Sequence, residues 1–495
     1  MTLTKDSVFQ LARDGQLYAG AIIPGLEQEN AHHFDTLNPF DHSIIGKVQR
    51  CTEQHVKAAA QICRATFESG DWSRRPPSER KQVMQRWVAL LEQHKEELAA
   101  LDSIDAGKPI TECLETDLPE TLHTFSWYAE AIDKVFGRVS PTATDTLALI
   151  VKEPVGVVGA VLPWNFPALM LAWKVAPALA AGNSVIVKPA ELTSLSAYRI
   201  IQLAHEAGVP RGALTLVTGF GEEVGKAIGL HPDIDVVSST GSTEVGRLFL
   251  TYAAESNLKE IILECGGKSP QVVFDDTYEL ESIADDILSA AFWNMGENCS
   301  CGSRLIVHKN IKSELLAILQ QRLDNGWKVG NPQDPEVSIG PMIEPAHFEK
   351  VCDHINRARE EGAKLIRGGN TLNQGAGMIV EPTIFDGVTP HMRLFREEVF
   401  GPVLAVTSFE TEEEAIHLAN ATDYGLAASV YTSDVRRAHR VSRAIRAGTV
   451  SVNCFSEGDI STPFGGYKTS GFGGRDNGLE AFDQYVQTKT LWYSN

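Results

Sequence analysis

Cys299 and Glu264 are the residues best placed by type and setting to do covalent chemistry. Gly296-Glu297-Asn298-Cys299-Ser300-Cys301 puts a thiol in a glycine-led loop behind an apolar helix, and Leu263-Glu264-Cys265-Gly266-Gly267-Lys268 puts a carboxylate at the end of an apolar strand. A thiol can attack a carbonyl carbon, and a carboxyl group with a raised pKa can take a proton from water. A third island, Pro163-Trp164-Asn165-Phe166-Pro167, follows another apolar run. Its two prolines fix the backbone around one uncharged amide, which suits a rigid donor to a developing oxyanion. Plainer readings stand beside these. A lone cysteine is more often inert core. Cys299 and Cys301 could form a redox or metal pair, although C-x-C without a further Cys/His cluster is poor metal spacing. An isolated asparagine commonly makes a turn.

Two further islands suit a phosphorylated ligand. Val187-Lys188-Pro189-Ala190-Glu191 ends a strand, so that Lys188 and Glu191 project beyond the sheet, where a cation and a carboxylate can meet ribose hydroxyls or an adenosine phosphate. Gly219-Phe220-Gly221 with Gly225, and Gly241-Ser242-Thr243-Glu244-Val245-Gly246, punctuate two more strand ends. The second opens a helix, whose N-terminus favours an anion. Neither matches G-x-G-x-x-G, and ordinary turn glycines or solvated charges explain these residues equally.

The elements that must position these islands are legible from periodicity. From about residue 155, β-branched runs at Gly156–Leu162, Ser184–Val187, Leu214–Thr218, Asp235–Ser238 and Glu260–Leu263 alternate with helix-length segments. Those segments are Ala168–Ala181, Ser194–Ala207, Glu222–Leu230 and Thr243–Ser256. This alternation predicts a parallel sheet covered on both faces, with ligands at the carboxyl ends of its strands. A second α/β series begins near 267, and one amphipathic helix is expected over Ser78–Leu101. Val155 to Val187 is almost uncharged, but its prolines and glycines break it into a strand, a loop and a helix rather than a membrane span.

Composition narrows the partners. The 495-residue chain is 43% hydrophobic and 22% charged, ordinary for a globular protein. Its 64 acidic residues against 44 basic ones give a formal net charge of -20. Such a chain is repelled by nucleic acid and by anionic membranes, so neither is expected as a partner. Eight scattered cysteines and an N-terminus without a signal-like apolar run point to a reducing cytoplasm, and no metal site is expected.

Taken in order, PWNFP, KP-x-E, TGSTEVG, LE-x-GGKSP, GENC, EEVFGP and PFGGYK-x-SG resemble the aldehyde dehydrogenase superfamily over nearly the whole chain. The resemblance implies two Rossmann-like doubly wound α/β domains plus a small β oligomerisation arm. It divides the chain into an NAD(P)-binding domain (1–133 and 154–266), an oligomerisation domain (134–153 and 475–495) and a catalytic domain (267–474). It makes Cys299 the nucleophile, Glu264 the general base and Asn165 the oxyanion donor. It puts Trp164, Asn165, Lys188, Glu191, Gly221, Gly241, Ser242, Thr243, Gly246, Glu398 and Phe400 around NAD, with NADP also open. The implied reaction oxidises an aldehyde to its acid through a thiohemiacetal and a thioester on Cys299. A homodimer or homotetramer is implied as well.

Within the superfamily the chain is similar to the γ-glutamyl-γ-aminobutyraldehyde and 4-guanidinobutyraldehyde dehydrogenases of polyamine and arginine breakdown. The shared segments are Trp127 to Lys134, Glu255-Ser256-Asn257 and Gly458-Asp459-Ile460. Asp117 and Glu120, one helical turn apart, could meet an amine or guanidinium, or could be exposed helix carboxylates. Phe166, Trp173 and Phe455 are expected to sleeve the carbon chain. Betaine aldehyde, aliphatic aldehydes, a CoA-acylating relative and a non-catalytic relative are the alternatives. Two departures from the family pattern are Ser239, where phenylalanine is usual, and Glu297, where glutamine is commoner. Cys301 and Cys454 are not required by the mechanism and could modulate redox sensitivity.

Overall fold

The computed structural model describes residues 3–26, 32–277, 279–372 and 378–494. Two sheets carry the site. The first has six strands in the order Gly471–Phe472, Glu260–Glu264, Val236–Thr240, Val157–Val161, Ser184–Lys188, Leu214–Leu216. Five run parallel, and Gly471–Phe472 adds an antiparallel edge by pairing with Leu263 and Glu264. Every residue of Val157–Val161, Ser184–Lys188 and Val236–Thr240 is buried, as expected where helices cover both faces. The chain moves outward from Val157–Val161 through two strands, then returns to lay Val236–Thr240 on its other side. That reversal opens a crevice beyond the carboxyl ends of Val157–Val161 and Val236–Thr240.

The second sheet has seven strands, ordered Lys364–Arg367, Thr383–Asp386, Val403–Phe409, Arg304–His308, Pro270–Val273, Ala427–Tyr431, Thr449–Val452. All but the first of these pairings are parallel. A third, antiparallel sheet joins Arg138–Ser140, Thr146–Pro154 and Val486–Ser494. This is the α/β architecture with an arm that the motifs implied.

Helix Pro167–Ala181 links the islands. It starts on Pro167, where a missing N–H does no harm, and stops at Gly182 in the left-handed region. It is buried along almost its whole length, and each buried Leu, Val or Met contributes about 1.5–3 kcal/mol. The apolar stretch Val155 to Val187 is thus a strand, a core helix and a strand. No described helix is long and apolar enough to cross a membrane.

Two elements differ from the periodicity. Ser78–Leu101 is two helices, Pro77–Gln93 and Lys95–Ala106, broken at His94. There the imidazole bonds Glu97, which also receives Arg199 Nε at 2.9 Å from a helix distant in the chain; these polar contacts override the apolar repeat. Glu222–Leu230 is a π turn over Gly221–Gly225 followed by the short helix Lys226–Leu230.

Candidate active site

The crevice at the end of the first sheet opens into a cavity of about 380 Å3 that runs from Lys188, Glu191 and Ser242 to Cys299. The nucleophile loop reaches it by an unusual turn. After helix Leu280–Phe292, Asn294, Met295 and Gly296 all take positive φ, at +51°, +57° and +71°. A non-glycine residue in that region costs about 1–2 kcal/mol, so the surroundings must hold it there. Asn294 Nδ2 donates to the carbonyl oxygens of Glu297 (2.9 Å) and Asn165 (3.2 Å). A Cβ on Gly296 would lie 2.4 Å from the Gly401 oxygen, which excludes any larger residue.

Asn165 sits beyond strand Val157–Val161 and is almost fully buried. Its Nδ2 donates to the Glu297 carbonyl at 2.9 Å, which leaves one amide hydrogen for a substrate oxygen. Its own carbonyl receives Lys108 Nζ at 2.9 Å.

Glu264 is 3% exposed at the end of its strand, and neither carboxyl oxygen has a side-chain partner. Burial, and then the nearby Asp476, push its pKa well above the ordinary carboxylate range, while Lys174 and Arg475 oppose them. Lys174 and Asp476 form a fully buried ion pair at 2.5 Å. Glu264 is therefore set up to hold a proton more tightly than an exposed carboxyl group does.

Cys299 is half-buried. Desolvation pushes its thiol pKa well above the usual value, and the carboxylates of Glu457, Glu398 and Glu264 add to that. The glycines of LE-x-GGKSP now have a reason. A Cβ on Gly266 would collide with Glu398 Oε2 at 2.2 Å, and one on Gly267 with the Cys299 carbonyl at 2.2 Å. Gly267 N–H also donates to Glu398 Oε1 at 2.8 Å.

The other end of the cavity fits a dinucleotide. Added Cβ atoms on Gly221 and Gly241 would meet nothing within 4 Å, so backbone faces open space there. Ser242 caps helix Thr243–Glu255 by accepting from Val245 N–H at 3.2 Å, and the free N–H groups of that first turn suit a pyrophosphate. Lys188 is buried, with Nζ 3.0 Å from the Pro189 carbonyl and 3.2 Å from Glu191 Oε2. Trp164 and Phe400 line the wall near Glu398.

Some expected residues stand elsewhere. Thr243 and Gly246 do not line the cavity. Thr243 Oγ1 bonds the Thr469 carbonyl, while Gly246 lets its helix press onto Leu263 and Cys265, where a Cβ would come within 3.0 and 3.1 Å. Asp117 and Glu120 also stand outside the cavity wall. Asp117 is 1% exposed and paired at 2.7 Å with Lys108, also 1% exposed, and Glu120 lies on the exposed face of helix Leu118–Ala131. Neither lines the cavity, because a buried lysine captures one and solvent takes the other. Phe455 is likewise absent from the wall. Phe166 and Trp173 do line it, joined by Trp293 and Phe464, with ring centroids 5.1 Å apart in each of the pairs Phe166–Trp293 and Trp173–Phe464.

The carboxylate that lines the cavity near Cys299 is Glu457, which no motif marked. It accepts from Asn298 Nδ2 at 3.2 Å and from Ser300 Oγ, the two neighbours of Cys299 in the chain. Desolvation raises its pKa, those hydrogen bonds oppose the rise, and the charges of Glu120 and Asp117 add to it. The hint in the sequence was an acid directly before Gly458-Asp459-Ile460.

Comparison with known proteins places residues 26–491 in a match to the aldehyde dehydrogenase family. The aminoacetaldehyde dehydrogenase of Pseudomonas aeruginosa is 54% identical over 459 residues, 93% of this chain and 92% of that one. The NADP/NAD-dependent aldehyde dehydrogenase PuuC of Escherichia coli is 45% identical over 491 residues, 99% of this chain and 98% of that one. A crystal structure of an indole-3-acetaldehyde dehydrogenase with NAD+ superposes with a TM-score of 0.96 at 46% identity, covering 100% of both chains.

Proposed function

The chain belongs to the aldehyde dehydrogenase family, and from that premise we propose that it oxidises short, cationic ω-amino aldehydes to their acids with NAD. One observation carries the substrate class. The cavity ends on the Glu457 carboxylate, held against both chain neighbours of Cys299. A desolvated carboxylate beside the nucleophile, in a cavity with an aromatic wall, suits an ammonium a few carbons from the carbonyl. The relatives named for aminoacetaldehyde and, as PuuC, for aldehydes with either nicotinamide cofactor agree with it.

The chemistry follows from this chain's own groups. The Cys299 thiol, kept protonated by burial and three carboxylates, loses its proton to Glu264 as its sulfur bonds the aldehyde carbon. An ammonium on Glu457 offsets one of those carboxylates and so lowers the thiol pKa as substrate arrives. The remaining Asn165 N–H holds the oxyanion of the tetrahedral adduct, a contact worth about 2.7–4 kcal/mol. NAD, when bound, supplies the acceptor for the hydride that leaves the adduct carbon, so the aldehyde is oxidised to a thioester. Glu264, once it has released the thiol proton to solvent, takes a proton from water, whose oxygen displaces the Cys299 sulfur and releases the acid. Lys188 and Glu191 hold the adenosine ribose, Ser242 and its helix the pyrophosphate, and Glu398 the nicotinamide ribose. The Glu191 carboxylate disfavours a 2′-phosphate, hence NAD over NADP.

In this reading the six-stranded sheet forms the cofactor domain and the seven-stranded sheet the catalytic domain. The three-stranded arm exposes Val139, Leu147 and Tyr493 on one face and Trp492 on the other, apolar groups that a dimer or a dimer of dimers would cover. Eight free thiols suit the cytoplasm.

Steady-state kinetics with aminoacetaldehyde, longer ω-amino and guanidino aldehydes, and neutral aldehydes of matched length test the reading with both cofactors. The amino aldehydes are expected to exceed their neutral counterparts in kcat/KM by about tenfold or more. Equal values for charged and neutral substrates would overturn the assignment.

A further inference from the structure

Glu297 departs from the family pattern, and its side chain does not line the cavity. It is nevertheless buried at 1% exposure, two residues before the nucleophile. Its Oε1 lies 3.4 Å from Nε2 of His347, within ion-pair distance and with no hydrogen bond to that oxygen, while the Ile343 backbone also bears on the carboxylate. His347 stands in the first turn of helix Pro345–Glu360, and its Nε2 donates to the Phe400 carbonyl at 2.7 Å. Phe400 holds φ at +58°, a left-handed backbone that a bulky residue rarely adopts. Its ring packs edge-on to Trp164 at 5.2 Å, and the His347 ring closes the cluster at 5.3 Å from Trp164 and 5.9 Å from Phe400. His347, Phe400 and Glu398 all line the cofactor half of the cavity.

A carboxylate facing Nε2 keeps the proton on that nitrogen, and so keeps Nε2 a donor to the Phe400 carbonyl. A glutamine could present either its oxygen or its NH2 group and would not choose the tautomer. The same Glu297 residue, through its backbone carbonyl, anchors Asn165 and Asn294. One residue thus touches the oxyanion donor through its backbone and the cofactor wall through its side chain.

We propose that Glu297 and His347 are a positioning pair that fixes the Glu398–Phe400 edge of the cofactor cavity to the nucleophile loop, setting where the nicotinamide ribose sits relative to Cys299. Neither side chain is required for proton transfer. Glu297 acts through His347, and His347 through the Phe400 backbone. The inference rests on the NAD reading above.

The test uses the purified full-length protein and the variants Glu297→Gln, His347→Phe, His347→Gln and Glu297→Gln/His347→Phe. NAD affinity is read by quenching of tryptophan fluorescence without substrate. Hydrolysis of an activated ester, which needs Cys299, Asn165 and Glu264 but no cofactor, is read alongside. Glu297→Gln and His347→Phe are each expected to weaken NAD binding about tenfold, the effect of losing one buried polar contact that supports the wall. Their loss in ester hydrolysis is expected to be smaller by at least about fivefold, since the pair acts on the cofactor wall. The double variant is expected to bind NAD as His347→Phe does, because Glu297 has no other route to the wall. His347→Gln, which keeps a donor, is expected to recover most of the affinity. Fully additive losses, unchanged NAD affinity in His347→Phe, or parallel losses in ester hydrolysis would each overturn the pair. Absence of NAD quenching in the unaltered protein would instead sink the cofactor reading itself.

Discussion

Lys108 donates from Nζ to the backbone carbonyl of Asn165 at 2.9 Å, deep in the protein and out of reach of substrate. The same ammonium pairs with Asp117 at 2.7 Å and lies 3.7 Å from the centre of the Phe166 ring. The loop that carries Asn165 is therefore backed by a buried charge, itself neutralised by a carboxylate from the helical segment around Cys113–Asp117.

Lys108→Met leaves Asp117 buried and unpaired. Breaking one side of a buried pair costs about 3–5 kcal/mol, so a large fall in the denaturation midpoint is expected. Lys108→Met/Asp117→Leu removes both charges and is expected to be more stable than Lys108→Met alone. Chemical denaturation of the three proteins checks the order; a double variant less stable than the single would contradict it.

Glu264→Gln removes the group that activates water but leaves Cys299 and Asn165 in place. Rapid mixing with aldehyde and NAD is expected to show a burst of NADH followed by steady turnover slowed about 10²–10⁴-fold. A normal steady rate would remove Glu264 from the hydrolytic step. Cys299→Ala is expected to show neither burst nor turnover.

Glu457→Gln separates charge recognition from positioning. For an ω-amino aldehyde kcat/KM is expected to fall about 10- to 100-fold, while a neutral aldehyde of equal length changes far less. The Glu457 charge also raises the Cys299 pKa, so its removal leaves more thiolate at neutral pH. Alkylation of Cys299 by iodoacetamide is accordingly expected to be faster in Glu457→Gln; slower alkylation would place the carboxylate away from the thiol.

Asp105 gives stability a pH dependence with a definite sign. Burial pushes it from the ordinary 3.8 up to about 7, although Thr36 Oγ1 donates to it at 2.7 Å and Leu195 N–H at 3.1 Å. Between those values the folded chain holds a proton that the unfolded chain has released, so stability falls as pH rises across that window. The contribution is complete below the unfolded value and is lost as pH passes about 7. Asp105→Asn has no such proton to lose. Its Tm relative to the unaltered protein is expected to increase from pH 5 to pH 8; a difference independent of pH would show that Asp105 does not titrate in that window.

Most of the fold was legible because its signals are local. Strands such as Val157–Val161 and Ser184–Lys188 are short β-branched runs bounded by glycine or proline, and the helices between them carry apolar faces at helical spacing. The break at His94 was not legible, because it depends on Glu97 meeting Arg199, a partner from a distant helix. The three residues proposed for catalysis stood out for a different reason: Cys299, Glu264 and Asn165 each sit in a motif whose glycines and prolines constrain the same few residues. Gly266 and Gly267 show the reason for that constraint, since Glu398 and the Cys299 carbonyl fill the space a side chain would need.

The amino-acid sequence alone determined the α/β class, the order of its elements and the kinds of reactive group at the strand ends, because each is written in neighbouring residues. Only the tertiary structure decided which carboxylate lines the cavity. Asp117 and Glu457 are both acids near the expected pocket, but a buried Lys108 takes the first, while Asn298 and Ser300 hold the second in the cavity. That choice depends on burial and on partners far apart in the chain, and no local pattern encodes either.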